Sequence, residues 1–225
     1  MKTALSATFF YLSRNQTSYQ KLAAEIRSNF TNGSDITGAG VASLPYLRAC
    51  IDEALRLSPP TPGILWRDFL PADKDKNLPF IVDNHVIPAG TIVGVNTYSI
   101  HHNEAYFPDA FAFRPDRWLN SSSSTFSDEE RKVMRDAFGA FSMGPRGCAG
   151  KAMAYLEASL VLAKTLWYFD FEKPKGELGK VGAGEVGGEE GRERKDEFQL
   201  FDIFVSIHDG PYLSFQPRGN LWREI

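Results

Sequence analysis

The chain has 225 residues, 43% of them hydrophobic, and a formal net charge of −3. That is enough apolar material for one sizeable core, in a chain that is neither disordered nor repetitive by composition. The slight acidity excludes a general basic field for nucleic acid, and only two cysteines, Cys50 and Cys148, exclude a secreted disulfide scaffold.

The opening "MKTALSATFFYL" places Lys2 before a short apolar run, as a signal peptide does. Ser13, Arg14 and Asn15 stand where a small-residue cleavage site belongs, and the run is too short to cross a bilayer. Leu5, Phe9 and Leu12 fit one face of a helix over 3–14, and a second helix is expected over 17–30 before the turn-rich "TNGSDITGAG". In "LPYLRACIDEALRLSPP", Leu47, Cys50, Ile51, Ala54 and Leu55 share one helix side. Pro59 and Pro60 end that helix, because proline lacks the donor and clashes with the preceding turn. β-Branched residues from Phe80 to Ile100 predict a hairpin turning at Pro88 to Gly90.

Beyond the loop "FSMGPRGCAG", Met153, Leu156, Leu160, Ala163 and Trp167 recur at helical spacing and predict a core-facing stripe. The tract 173–197 is dense in Gly, Glu and Lys; with little apolar surface to offset chain ordering, it is expected as a mobile loop. The closing "FQLFDIFVSIHDGPYLSFQPR" predicts a hairpin about Asp209, Gly210 and Pro211.

Several motifs carry no chemistry. Gly182, Gly184 and Gly187 match GxGxxG, but no strand precedes them and no helix follows to face a pyrophosphate. Asn-x-Ser/Thr matches at Asn15, Asn29, Asn32 and Asn120 matter only in a lumenal chain. His101 and His102 are adjacent and cannot share a helix face, and no paired Cys-His spacing suggests zinc.

Cys148 stands where a helix begins, so unpaired N–H groups and the helix dipole favour its thiolate. A nucleophile, a redox thiol and a metal ligand are all open on that ground. The surrounding residues Phe141, Gly144, Arg146, Cys148 and Gly150 fit FxxGxRxCxG. Five fixed positions at about one in twenty each make an accidental match on the order of one in three million. This loop resembles that of the cytochrome P450 family, the haem-thiolate monooxygenases. Two further segments extend the resemblance: Glu53 and Arg56 in "EALR", and Arg117 in "FRPDRW", where Asp116 and Trp118 replace the family's Glu and Phe.

The resemblance implies a mainly α fold with small antiparallel β-hairpins, the C-terminal, haem-proximal half of the cytochrome P450 fold, over 1–225. It implies haem b, with Cys148 as axial iron ligand, Arg146 and Arg67 on the propionates, and Phe141 shielding the sulfur. Glycines 144, 147 and 150 would let the backbone approach a flat macrocycle. Glu53, Arg56 and Arg117 would form a buried network, and the segment from Ile203 to Ile207 would reach the substrate cavity. An apolar small-molecule substrate, O2 and an NADPH-dependent flavoprotein reductase would be the partners, with no nucleic acid. Arg131, Lys132, Arg135 and Lys151 offer either a reductase-docking patch or an ordinary solvated helix. Family members are about twice as long. Their acid–alcohol pair for proton delivery would lie ahead of Met1, and the anchor that implies the cytosolic face of the endoplasmic reticulum would also be absent. A truncated, non-catalytic haem-binding chain is therefore the alternative to an enzyme.

Overall fold

The computed structural model describes residues 2–68, 79–88, 90–120 and 125–224. Two long helices open the chain, α1 (Lys2–Arg14) and α2 (Gln16–Asn29), followed by the short α3 (Gly38–Ala42) and by α4 (Pro45–Leu57). Pro45 starts α4, where its missing N–H has no intrahelical partner to lose. The Glu25 carboxylate accepts the N–H groups of Tyr46 and Leu47, both at 2.8 Å, which caps two of the orphan donors at that helix start. The main core lies where α2 and α4 meet α7 (Lys151–Tyr168), through Leu22, Ile26, Leu47, Ile51, Leu162 and Leu166. Each such side chain, fully removed from water, contributes about 1.5–3 kcal/mol.

α1 is covered on several sides. Leu12 belongs to the main core, while Ala7, Phe10 and Tyr11 join Ala54, Leu57 and Phe198 in a second cluster. The expected face of Leu5, Phe9 and Leu12 is therefore only one of those this helix buries. The stripe expected on α7 is shifted: Ala163 and Trp167 are buried, but Met153 is 65% exposed and Leu156 44% exposed. The buried face runs instead through Tyr155, Ala158, Ser159, Leu162 and Leu166. α7 is apolar nearly all round, so periodicity alone does not choose its inner side.

The sheets are small and antiparallel. β1 (Ile64–Asp68) pairs with β4 (Ile92–Asn96), from Ile64 opposite Asn96 to Asp68 opposite Ile92. β2 (Phe80–Val82) pairs with β3 (His85–Ile87) through a two-residue turn at Asp83 and Asn84, both with positive φ. The hairpin expected about Pro88 to Gly90 is thus displaced: β4 leaves its sequence neighbour for β1, and residues 97–101 form helix α5 (Thr97–His101). The closing hairpin differs too. β6 (Ser214–Pro217) pairs with β5 (Phe169–Glu172), directly after α7, and the local reversal is a bridge between Phe201 and Ile207.

The tract 173–197 takes a defined path without an apolar core of its own. Arg14 donates to the Gly179 carbonyl at 2.7 Å, and the N–H groups of Gly184 and Glu185 bond Arg194 and Arg192 carbonyls. Backbone pairing at close approach takes the place of apolar burial there: a Cβ on Gly184 would sit 2.4 Å from the Arg192 carbonyl oxygen. Among the described residues no helix is long and apolar enough to cross a membrane.

Candidate functional site

Between α6 (Asp128–Ala137) and α7, residues 138–150 form the cysteine loop. Ser142 and Gly144 both adopt positive φ, and backbone hydrogen bonds hold the loop. Ser142 N–H donates to the Gly139 carbonyl at 2.9 Å, Gly147 N–H to Gly144 at 2.9 Å, Cys148 N–H to Phe141 at 2.8 Å, and Lys151 N–H to Cys148 at 3.3 Å. Cys148 is thereby delivered exposed, three residues ahead of Lys151, the first residue of α7. The other cysteine, Cys50, is fully buried, and desolvation pushes its thiol pKa well up, which keeps it an inert core residue.

The Cys148 thiol borders a cavity of about 490 Å³, walled by Leu55, Pro60, Leu65, Phe141 and Phe204, with Arg146 also on its lining. Among the described residues nothing pairs with the Arg146 guanidinium, which is exposed. The expected glycine positions have different causes. Gly144 needs its positive φ, and a Cβ on Gly147 would stand 3.2 Å from the Gly144 oxygen. A Cβ on Gly150 would make only an ordinary 3.8 Å contact with Cys148 Sγ, so no protein atom demands glycine there. Phe141 packs its ring on Tyr155, centroids 5.0 Å apart, and holds Cys148 through its carbonyl.

Arg67, on β1, is exposed and donates to the Trp66 carbonyl at 2.8 Å. It lines a separate cavity of about 350 Å³, which shares Leu65, Thr97, Gly139 and Ser142 with the cysteine cavity. The structure thus brings Arg67 beside that cavity, not into its wall.

The expected buried network is assembled under the loop. Glu53, Arg56 and Arg117 are at most 1% exposed. Glu53 Oε1 accepts from Arg56 Nη2 at 2.9 Å, Arg117 Nε at 3.0 Å and the Arg114 backbone N–H at 2.9 Å. Oε2 accepts from Arg56 Nε at 3.0 Å and Trp118 Nε1 at 2.9 Å. Burial alone would raise the Glu53 pKa, but the two guanidinium groups outweigh it and hold the carboxyl below its usual range. Trp118 is therefore a donor to the network, a role that its indole N–H permits and phenylalanine lacks.

The proposed basic patch is largely engaged elsewhere. Arg131 is buried and bonds the Phe126 carbonyl and Asp128; Lys132 pairs with Asp136 at 2.8 Å; Arg135 donates to Asn120. Arg135 and Lys151 are both exposed without an ion pair among the described residues, and of the two only Arg135 has a side-chain hydrogen bond there. Sequence reading missed two groups beside the loop. His101 is fully buried against Arg56 and Gly139, and Asp52 accepts from Tyr155 Oη at 2.5 Å under Phe141. The alternation of "HHNE" marks no chemistry, and Asp52 reads as the solvated neighbour of Glu53.

The chain is mostly helical with two-stranded antiparallel sheets, and it presents an exposed cysteine from a loop that lies near a buried Glu–Arg–Arg network. The family model for cytochrome P450 matches residues 1–181, and the chain belongs to that family. It is 41% identical over 220 residues to a cytochrome P450 monooxygenase of Gibberella zeae, covering 97% of the chain and 48% of that relative. Cytochrome P450 monooxygenase AKT7 of Alternaria alternata is 41% identical over 216 residues, 95% of the chain and 40% of the relative. Cytochrome P450 monooxygenase apf7 of Gibberella fujikuroi is 44% identical over 224 residues, 96% of the chain and 39% of the relative. The chain spans less than half the length of these three relatives.

The family implies a haem iron cofactor, and the residues around Cys148 fit one. An exposed thiol faces an apolar cavity, Gly150 leaves the approach to the sulfur open, and the cation of Arg146 has no protein partner among the described residues. Among the described residues no group of three or more His, Cys, Asp or Glu could hold a metal ion.

Proposed function

We propose that the chain supplies the thiolate face of a haem-dependent monooxygenase site, in which Cys148 Sγ would be the residue that ligates the iron. The observation that carries this reading is the exposed Cys148 on the wall of a largely apolar cavity, held there by the Phe141 carbonyl. When bound, the haem would supply O2 activation and the insertion of one oxygen atom into an apolar substrate. Cys148 must give up its thiol proton to ligate. The N–H groups of Ala149 and Gly150 have no backbone acceptor among the described residues, and they are positioned by sequence to donate to the anionic sulfur. Arg146 would hold a propionate, and Arg67 would serve the second from the adjoining cavity. Leu65 and Phe204 offer apolar surface that excludes water and suits an apolar substrate.

Electrons would come from an NADPH-dependent flavoprotein reductase, for which Lys151 provides an exposed cation beside the loop. Charge reversal at Lys151 should weaken reductase affinity and flatten its salt dependence; unchanged values would remove Lys151 from the docking surface. A site on the cytosolic face of the endoplasmic reticulum is the setting this reading carries.

A second reading is a haem-binding chain that does not turn over substrate. Its support is the exposure of Ile203 at 64%, Phe204 at 71% and Val205 at 56%, which leaves the rim of the cavity open to water. Expression with haem supply, followed by absorption of the reduced, CO-treated chain, tests ligation. NADPH consumption matched by hydroxylated product then separates enzyme from remnant. A folded chain without the red-shifted thiolate band would end the haem reading.

A further inference from the structure

His101 belongs neither to the cysteine motif nor to the Glu53 network as the sequence displays them. Its side chain is fully buried, and its two ring nitrogens face different parts of the molecule. Nδ1 lies 3.0 Å from the Arg56 carbonyl oxygen near the end of α4, and Nε2 receives the Gly139 N–H at 3.0 Å. A carbonyl can only accept and a backbone N–H can only donate. The two contacts together therefore fit a single form of the ring, neutral imidazole with its proton on Nδ1. Burial pushes its pKa down to about 3, which keeps that form across ordinary pH. The charged and titratable groups that act on it are Arg56, Glu53 and His102.

The ring holds the start of the cysteine loop in two ways. Phe138 stacks on it, centroids 5.4 Å apart at 16°, and Gly139 donates to it. From there the loop's own bonds continue, Ser142 N–H to Gly139 and Cys148 N–H to Phe141. On its other side His101 is fixed twice to Arg56, since Arg56 Nη1 also donates to the His101 carbonyl at 2.7 Å. The histidine thus stands between the Glu53–Arg56 pair and the segment that carries the sulfur.

We infer that His101 is a positioning residue that transmits the fixed geometry of the buried Glu53–Arg56 pair to the cysteine loop and so sets where Cys148 stands. Its consequence for a bound haem rests on the reading of Cys148 as iron ligand; the bracing of the loop does not. Two variants separate these. His101→Phe keeps the ring stacked on Phe138 and loses both hydrogen bonds, whereas His101→Gln restores one donor and one acceptor on adjacent atoms.

The test is residue-resolved amide hydrogen exchange on the whole chain without haem, followed by absorption of the reduced, CO-treated, haem-supplied chain. His101→Phe is expected to speed exchange at Cys148, nine residues from Gly139, by about tenfold, the opening that accompanies loss of the Gly139–His101 bond, the one of the two lost bonds that reaches the loop. Amides of α4 stay near their parental rates, His101→Gln recovers most of the protection, and the His101→Phe chain loses thiolate-type CO absorption at matched haem content. Unchanged exchange at Cys148, or loosening spread evenly over α4 and α7, overturns the inference. Local loosening that His101→Gln reverses upholds the bracing even if the parent takes up no haem, an outcome that would sink the haem reading alone.

Discussion

Replacing Glu53 by Gln preserves shape and removes one charge and one acceptor oxygen. In the parent, Oε1 accepts three hydrogen bonds and Oε2 two, at 2.9–3.0 Å. Whichever oxygen becomes the amide NH2, two or three buried donors then face a donor. The trio's charge also rises from +1, one carboxylate with two guanidinium groups, to +2 in a site with at most 1% exposure. Breaking a buried pair in this way costs about 3–5 kcal/mol, a large share of the roughly 5–15 kcal/mol that holds a domain folded. With a urea slope of about 2 kcal/mol per molar, the unfolding midpoint should fall by roughly 1.5–2.5 M. The assay is urea unfolding of parent and Glu53→Gln, followed by circular dichroism with slopes compared. A loss under about 1 kcal/mol, the range of a surface pair, would refute the reasoning. Apolar replacement of all three residues should not rescue this site as it does some isolated ion pairs. Arg56 and Arg117 also donate to the carbonyls of His101, Ala110, Ala112 and Pro108, and those acceptors would be orphaned.

Cys148→Ser should abolish thiolate-type absorption while shifting stability by no more than about 0.5 kcal/mol, because the side chain is exposed; a large loss of stability would mean the loop depends on the sulfur itself. Arg146→Ala should release haem faster than the parent in a transfer assay to an apo-haem acceptor, with the thiolate band retained in the bound fraction; an unchanged rate would remove its propionate role. Folded His101 titrates near 3 and His102 near 4, both lowered first by burial, against about 6.5 in an unfolded chain. Between pH 6.5 and 4 the unfolded chain binds both protons and the folded chain neither, so stability falls as pH falls; from pH 7 to 5 the loss should reach about 2 kcal/mol per ring. A flat stability profile over that interval would contradict the burial of both rings. Gly184→Ala should overpack against backbone that cannot move aside, costing about 1–3 kcal/mol and opening 173–197 to proteolysis at Arg192 and Arg194.

The long helices α1, α2, α4 and α7 and the chemistry-bearing loop were legible because each depends on neighbours in sequence. The proline stop of α4 and the spacing Phe141, Gly144, Arg146, Cys148, Gly150 need no distant partner to be recognised. Strand pairing was not: β4 pairs with β1 across 23 intervening residues, and β6 with β5 across 41, whereas alternation indicates only that a segment is extended. The inner side of α7 was equally hidden, since Met153 and Leu156 are as apolar as the residues facing the core. His101 carried no signal, because its role comes from two main-chain contacts and not from a side-chain pattern. Trp118 was noticed as a replacement, but its bond to Glu53 could not be read before the distance was known.

The most direct test of the account is a haem titration of the purified chain read by the absorption of its reduced, CO-treated form. The account predicts one haem per chain with the red-shifted Soret band of thiolate ligation, lost in Cys148→Ser and kept in the core control Cys50→Ser. A folded chain that binds no haem, or that gives the same spectrum with Cys148 replaced, would contradict it.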